Sequence, residues 1–435
     1  MSAFLVWLVL VVLAACCLVL IVWVGNWWAE KNNPYSSRSW VKPFFVTTLA
    51  SDGQIIVTKR RDLHVLHTPF GKLLMYIQAF FRIEGNVYHP EEPLKGNEQS
   101  IIDQIHQERF DPGKPYAITG GHFTELYVRD LGVFYPAMLD ARIPTSLDDW
   151  LARQRVTLQT VATDLELLKQ SRQEYTTFVP IGPHWFTTAN FNTQPSDSLF
   201  AIVYTLLAAK DETFIARALP TANPVAAYPL QTRQAAQQLI ASYQDVLSNA
   251  ISQYLASVID SRTGLIKKTI RLSGARDSMK RQSSFYDNVI AWATAKYATE
   301  LAIPFSSPAL YRGALSCDFA KWKQTIIDAF WDETEGLFLD DLSSSSIKNH
   351  IFTGEGFLVI PTHFFDQQNA EDRRKLLRMV QYVKKSNLDR PFPLFPELYD
   401  ENGEMFTTLF YKSVLHTGWV IGYEQAKMLL ASAHS

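Results

Sequence analysis

From about residue 98 to the C-terminus, apolar residues recur every three or four positions, the period of a helix that buries one face. The pattern predicts helices over Gln99–Arg109, Phe123–Leu139, Leu147–Gln170, Ser196–Ala209, Thr232–Asp260, Met279–Leu301, Ala320–Phe330, Thr353–Phe365, Ala370–Lys385 and Val414–Ser432. Ser146 before Leu147, and Asp197 near the head of an apolar run, are helix-start signals. Pro180–Pro195 and Asp389–Met405, rich in Pro, Gly and aromatic residues, read as long loops. Many helices joined by irregular loops suit a ring of helical hairpins better than a bundle with short turns. Upstream, residues 45–90 alternate apolar and polar positions, as in Gln54-Ile55-Ile56-Val57-Thr58 and His64-Val65-Leu66-His67. Strands are expected there and nowhere else.

The first apolar run differs from all of these. Phe4 to Val24 carries no charge and would reach about 30 Å as a helix, one bilayer core. Trp23, Trp27 and Trp28 fall where an interfacial aromatic belt would lie. Leu13-Ala14-Ala15-Cys16 has the form of a bacterial lipoprotein cleavage site, but the run continues past Cys16 and Met1 to Ala3 carry no Lys or Arg. An uncleaved transmembrane span is therefore expected. Its orientation is contested. Lys31, Arg38 and Lys42 after the span favour a cytoplasmic domain, whereas a sugar-processing role would face outward. The expected organisation is an anchor over 1–28, a linker and extended segment over 29–97, and one helical domain over 98–435.

Composition narrows the function. The chain is 47% hydrophobic and 13% aromatic, enough for a large core and too much for disorder. A formal net charge of −2 offers no basic excess for phosphate, so nucleic acid is not an expected partner. Of the 3 cysteines, Cys16 and Cys17 lie in the apolar run and Cys317 stands apart, which excludes a disulfide framework and a cysteine metal cluster. Nothing calls for a cofactor or a metal.

Four clusters can carry chemistry. Gly120-Gly121-His122 leads to Arg129-Asp130, set in an apolar stretch: either a structural ion pair, or an Asp130 that accepts from sugar hydroxyls while Arg129 holds it. Ser283-Ser284-Phe285-Tyr286-Asp287-Asn288 opens a helix, so Asp287 or Asn288 either caps it or, between aromatic rings, Asp287 keeps its proton as a general acid. Pro396-Glu397-Leu398-Tyr399-Asp400 is either a solvated acidic loop or the site of a base, Glu397. His416-Thr417-Gly418-Trp419 ends in a Trp that is either core or a stacking wall for a sugar ring.

In their order along the chain these clusters resemble the six-hairpin (α/α)6-barrel glycosidases, particularly processing α-glucosidase- and trehalase-like glycoside hydrolases. Asp287-Asn288, Glu397-x-Tyr399-Asp400 with Gly403, and Gly418-Trp419 match that series. Phe330-Trp331-Asp332 through Gly336-Leu337-Phe338-Leu339-Asp340 looks like the family's hairpin, and Gly354-Glu355-Gly356 like its next helix. Phe285-Tyr286 and Val289 depart from the small residues usual beside the acid.

The resemblance covers roughly 98–432. It implies an all-α (α/α)6 toroid following a transmembrane helix and a short extended segment. It also implies an inverting hydrolase of α-linked glucosides or related oligosaccharides and polysaccharides. Asp287 would be the acid and Glu397 the base. Arg129, Asp130, Trp185, Gln194, Asp197, Asn288, Tyr399 and Trp419 would bind substrate. Inversion needs the two carboxyl groups about 6.5–9.5 Å apart. A phosphorylase, a lyase (using His122, Tyr127 or His184) and a non-catalytic sugar-binding envelope protein are the alternatives.

Overall fold

The computed structural model describes helical positions between residues 7 and 20, then 45–49, 55–59, 126–128 and positions between 157 and 169. It further describes 176–181, 184–189, 197–211, 213–214, 230–272, 281–307, 317–343, 355–366, 368–385, 398–399, 405–406, and positions 426, 427 and 430.

The described part is mostly helical. Its helices are α1 (Ser198–Lys210), α2 (Leu230–Ser242), α3 (Gln244–Val258), α4 (Phe285–Glu300), α5 (Phe319–Phe330), α6 (Glu355–Leu358) and α7 (Ala370–Lys385). They are of two kinds. In α1 every residue from Ser198 to Ala209 is buried, and in α4 burial runs unbroken from Phe285 to Ala295. A helix apolar all round belongs inside. By contrast α3 buries Leu247, Ile251, Leu255 and Val258, and α5 buries Trp322, Ile326, Ile327 and Phe330. These are single stripes at i, i+4 and i+3 spacing, as on an outer layer. The two inner helices pack on each other, and α5 packs on α4. Phe200 of α1 lies 6.0 Å from Tyr297 of α4, ring centre to ring centre. Trp292 Nε1 donates to the Phe319 carbonyl at the head of α5, at 3.0 Å.

Strands are not confined to the N-terminal approach. β1 (Phe45–Leu49) and β2 (Ile55–Lys59) pair antiparallel, as the alternation there predicts. The Pro180–Pro195 segment does not begin as a loop, because β4 (Thr176–Ile181) and β5 (His184–Ala189) form a hairpin in register Phe178 with Thr187. β3 (Leu126–Tyr127) joins its edge, so the segment read as the Phe123–Leu139 helix carries strand at that point. Short antiparallel pairs add β6 (Arg271–Leu272) with β7 (Arg281–Gln282), β8 (Trp331–Asp332) with β9 (Leu337–Phe338), and β10 (Leu398–Tyr399) with β11 (Met405–Phe406). The largest described sheet has three strands. The expected Thr232–Asp260 helix is two helices, interrupted at Tyr243, whose hydroxyl donates to Glu166 at 2.8 Å.

Among the described residues no helix is long and apolar enough to cross a membrane. Trp7, Leu10, Val11, Val12, Leu13 and Leu20 are helical and exposed. The remainder of Phe4–Val24 lies outside the described residues.

Candidate functional site

The head of α4 is built from a short turn. Gln282 closes β7, and Ser283 follows with φ 56, a left-handed conformation unusual for a residue with a Cβ. Ser284 is the N-cap, at φ −70 and ψ 154. Its Oγ accepts from the Asp287 amide at 3.0 Å and donates to Asp287 Oδ2 at 2.6 Å. A cap serine and a carboxylate three residues on therefore satisfy each other.

Asn288 locks this turn from inside. Its Nδ2 donates to the Ser284 carbonyl at 2.7 Å and to Ser283 Oγ at 3.1 Å, and its Oδ1 accepts from the Ile266 amide at 2.9 Å. Asp341 locks it from the other side, accepting from the Gln282 amide at 3.0 Å and from the Ser343 amide at 3.0 Å. The Phe285 amide donates to the Asp340 carbonyl, and the Leu342 amide to the Gln282 carbonyl.

The head of α1 lies beside this turn. Asp197 is its N-cap and is fully buried, yet its side chain makes no capping bond. The carboxylate instead accepts from the Tyr286 hydroxyl at 3.3 Å. Tyr286 thus connects residues 89 apart in sequence. Buried carboxylates are costly unless hydrogen-bonded. Asp197, Asp287 and Asp341 are all buried, and each accepts a bond from this polar cluster. The positive ends of α1 and α4 also favour negative charge at their heads. Among the described residues no group of three or more His, Cys, Asp or Glu side chains converges to hold a metal.

Of the residues expected to form a site, Asp197, Asp287 and Asn288 meet here. The amide of Asn288 is engaged on both its oxygen and its nitrogen by the protein itself. Trp185 falls on β5 opposite Pro180, and Tyr399 on β10 opposite Met405. Arg129, Asp130, Gln194, Glu397 and Trp419 lie outside the described residues. Ser284, Tyr286 and Asp341 are site-building residues to which the sequence reading gave no role. Only Ser284 carried a signal, its spacing of three from Asp287.

No family model matches the chain, and no curated protein does. Among solved structures it is similar to a rhamnosidase from Klebsiella oxytoca with rhamnose bound, at 12% identity and a TM-score of 0.42. The match covers 77% of this chain and 66% of that one. A likeness this distant carries no argument about chemistry.

Proposed function

We propose that the chain is a membrane-anchored glycoside hydrolase whose helical domain closes into an (α/α)6 toroid, acting by inversion on α-linked glucosides or related oligosaccharides. One observation carries the reading. Two buried carboxylates, Asp197 and Asp287, stand at the heads of two adjacent inner helices, and the hydroxyl of Tyr286, the residue before Asp287, donates to Asp197. Polar groups held at the same end of neighbouring inner helices are what a site at the mouth of a helical ring requires. The alternation of all-round-buried and one-stripe helices supports two concentric layers. The order of the four sequence clusters supports the choice of hydrolysis. The exposed apolar positions between Trp7 and Leu20 support the anchor.

In this mechanism Asp287 gives its proton to the leaving oxygen, while Glu397 takes one from a water that attacks the opposite face. The bond from the anomeric carbon to the leaving oxygen breaks as the bond to water forms, and no covalent intermediate is needed. Asp197, Asp130 and Arg129 accept from or donate to sugar hydroxyls, and Trp185, Tyr399 and Trp419 supply ring faces.

The test is hydrolysis of a panel of aryl glycosides and disaccharides, with the anomer of the first product read by NMR. Inverted product is expected. Asp287→Asn should suppress turnover of poor leaving groups by about 10²–10⁴-fold and spare activated aryl glycosides. Glu397→Gln should impair both classes alike. Retained configuration would remove the inverting assignment. Sugar binding without turnover would favour the non-catalytic alternative, and cleavage that requires added phosphate would favour a phosphorylase. Extraction of the full-length chain from membranes by alkaline carbonate would remove the anchor.

A further inference from the structure

We propose that Ser283 is a substrate-binding residue, its hydroxyl donating to one oxygen of the sugar that is bound beside Asp287. This role rests on the hydrolase reading above.

A sugar hydroxyl needs an acceptor for its proton and a donor for its oxygen. Carboxylates at the heads of α1 and α4 are acceptors, so the donor is the group to find. Asn288 Nδ2 has two protons, and they go to the Ser284 carbonyl at 2.7 Å and to Ser283 Oγ at 3.1 Å. Tyr286 directs its one phenolic proton to Asp197 at 3.3 Å, and Ser284 its hydroxyl proton to Asp287 at 2.6 Å. These three donors are spent inside the protein. Ser283 Oγ accepts from Asn288 but donates to no acceptor among the described residues.

That proton needs a partner. Ser283 is 2% exposed, and a buried donor left without an acceptor is costly. Asp287, which has to meet the leaving oxygen, is buried to the same 2%. The acceptor is therefore supplied from outside the protein, at the place where the substrate meets the acid.

The backbone points the same way. Ser283 is left-handed at φ 56, a conformation that glycine adopts without strain, so a side chain is carried there at a cost. Helix capping does not account for it, because the cap is Ser284. The Asn288 bond takes a lone pair of Oγ and leaves the proton for another group. It also holds the oxygen in place, so the donor is set before the sugar arrives.

The experiment uses the full-length chain and a series of aryl glycosides in which each sugar hydroxyl in turn is replaced by hydrogen. Ser283→Gly removes the hydroxyl and relieves the left-handed strain, and Ser283→Ala is a second hydroxyl-free variant that keeps Cβ. In both, kcat/KM for the fully hydroxylated substrate should fall roughly threefold to tenfold. For the one deoxy substrate that lacks the acceptor oxygen, parent and variants should be alike.

An unchanged kcat/KM, or a loss of the same size on every substrate, overturns the Ser283 role alone and leaves an ordered water as the acceptor. If the parent hydrolyses none of the series, the same comparison is made on sugar dissociation constants by calorimetry. A loss confined to sugars that keep one particular hydroxyl then overturns the hydrolase reading and leaves Ser283 as a sugar ligand. A parent that binds no sugar overturns both.

Discussion

The two ends of α4 are made by opposite means. At the tail, Leu301 is the cap and Ala302 turns left-handed at φ 58. The Ile303 amide returns to the Ala298 carbonyl at 2.9 Å, and the Ala302 amide to the Thr299 carbonyl at 3.0 Å. This is a Schellman closure, formed within six residues and partly exposed to water. At the head, the groups that fix the turn come from Ile266, Asp340, Asp341 and Asp197, and they are buried. A helix needs only a local stop. The long-range tie at the head is far more than a helix start requires, which marks that end as one whose geometry matters beyond the helix.

The contrast predicts a ranking of effects. The largest belongs to Asp341→Ala, which strips two backbone amides, those of Gln282 and Ser343, of a charged acceptor. A loss of about 3 kcal/mol is expected by chemical denaturation, and a loss no greater than at the tail would break the comparison. Next is Asn288→Ala. It leaves the buried Ile266 amide without its acceptor and removes the side-chain bond to the Ser284 carbonyl, for about 2 kcal/mol on the same measurement.

Smaller and opposite in sign is Ala302→Gly. A left-handed Ala is strained and glycine is not, so the variant should gain about 0.5–1 kcal/mol after the entropy cost in the unfolded chain. No gain would mean that Ala302 packs in a way glycine cannot replace.

The smallest effect is set by the exposed surface. Glu333 accepts from Arg374 at 2.6 Å and 3.1 Å, from Trp331 at 2.5 Å and from Arg378 at 2.7 Å. The Arg374 and Trp331 bonds hold its carboxyl down at about 2. A depressed folded value means that the stabilisation is complete above the ordinary glutamate range, near 4.5, and is lost as pH falls towards 2. Glu333→Gln should therefore shallow the acid side of the stability profile. High salt should do much the same to the parent, because the site is exposed. An acid limb unchanged in the variant would show that the network adds nothing measurable.

Local signals account for what could be read from sequence. The α7 boundaries emerge as expected, since its apolar stripe is regular and Glu371, Asp372, Lys384 and Lys385 suit the helix ends they occupy. Asp318 caps α5 through the Lys321 amide, the same kind of signal. The β4–β5 hairpin was hidden by Pro180 and Pro183, which argue against a central strand. Leu126–Tyr127 has helical spacing, but its pairing is decided by Phe178 and Thr177 across the sheet. At the head of α4, Asp287 and Asn288 stood out as polar residues in an apolar setting. That Asn288 holds the Ile266 amide, or that Tyr286 reaches Asp197, depends on contacts 22 and 89 residues apart, and no window along the chain displays them.

The tie between Gln282 and Asp341 also sets an order of events on the ribosome. Its two residues are 59 positions apart, so at about 5–20 residues per second the second emerges roughly 3–12 s after the first. The backbone bonds of the body and tail of α4 join residues close in sequence, so they can begin to close once that segment has left the exit tunnel. The head has to wait for the strand turn at Asp340–Asp341. Arrested nascent chains with α4 exposed but Asp341 still inside the tunnel should therefore be cut by protease near Ser283 and Ser284. Chains about 35–40 residues longer, with Asp341 in the open, should resist, and equal cutting at both lengths would refute this order.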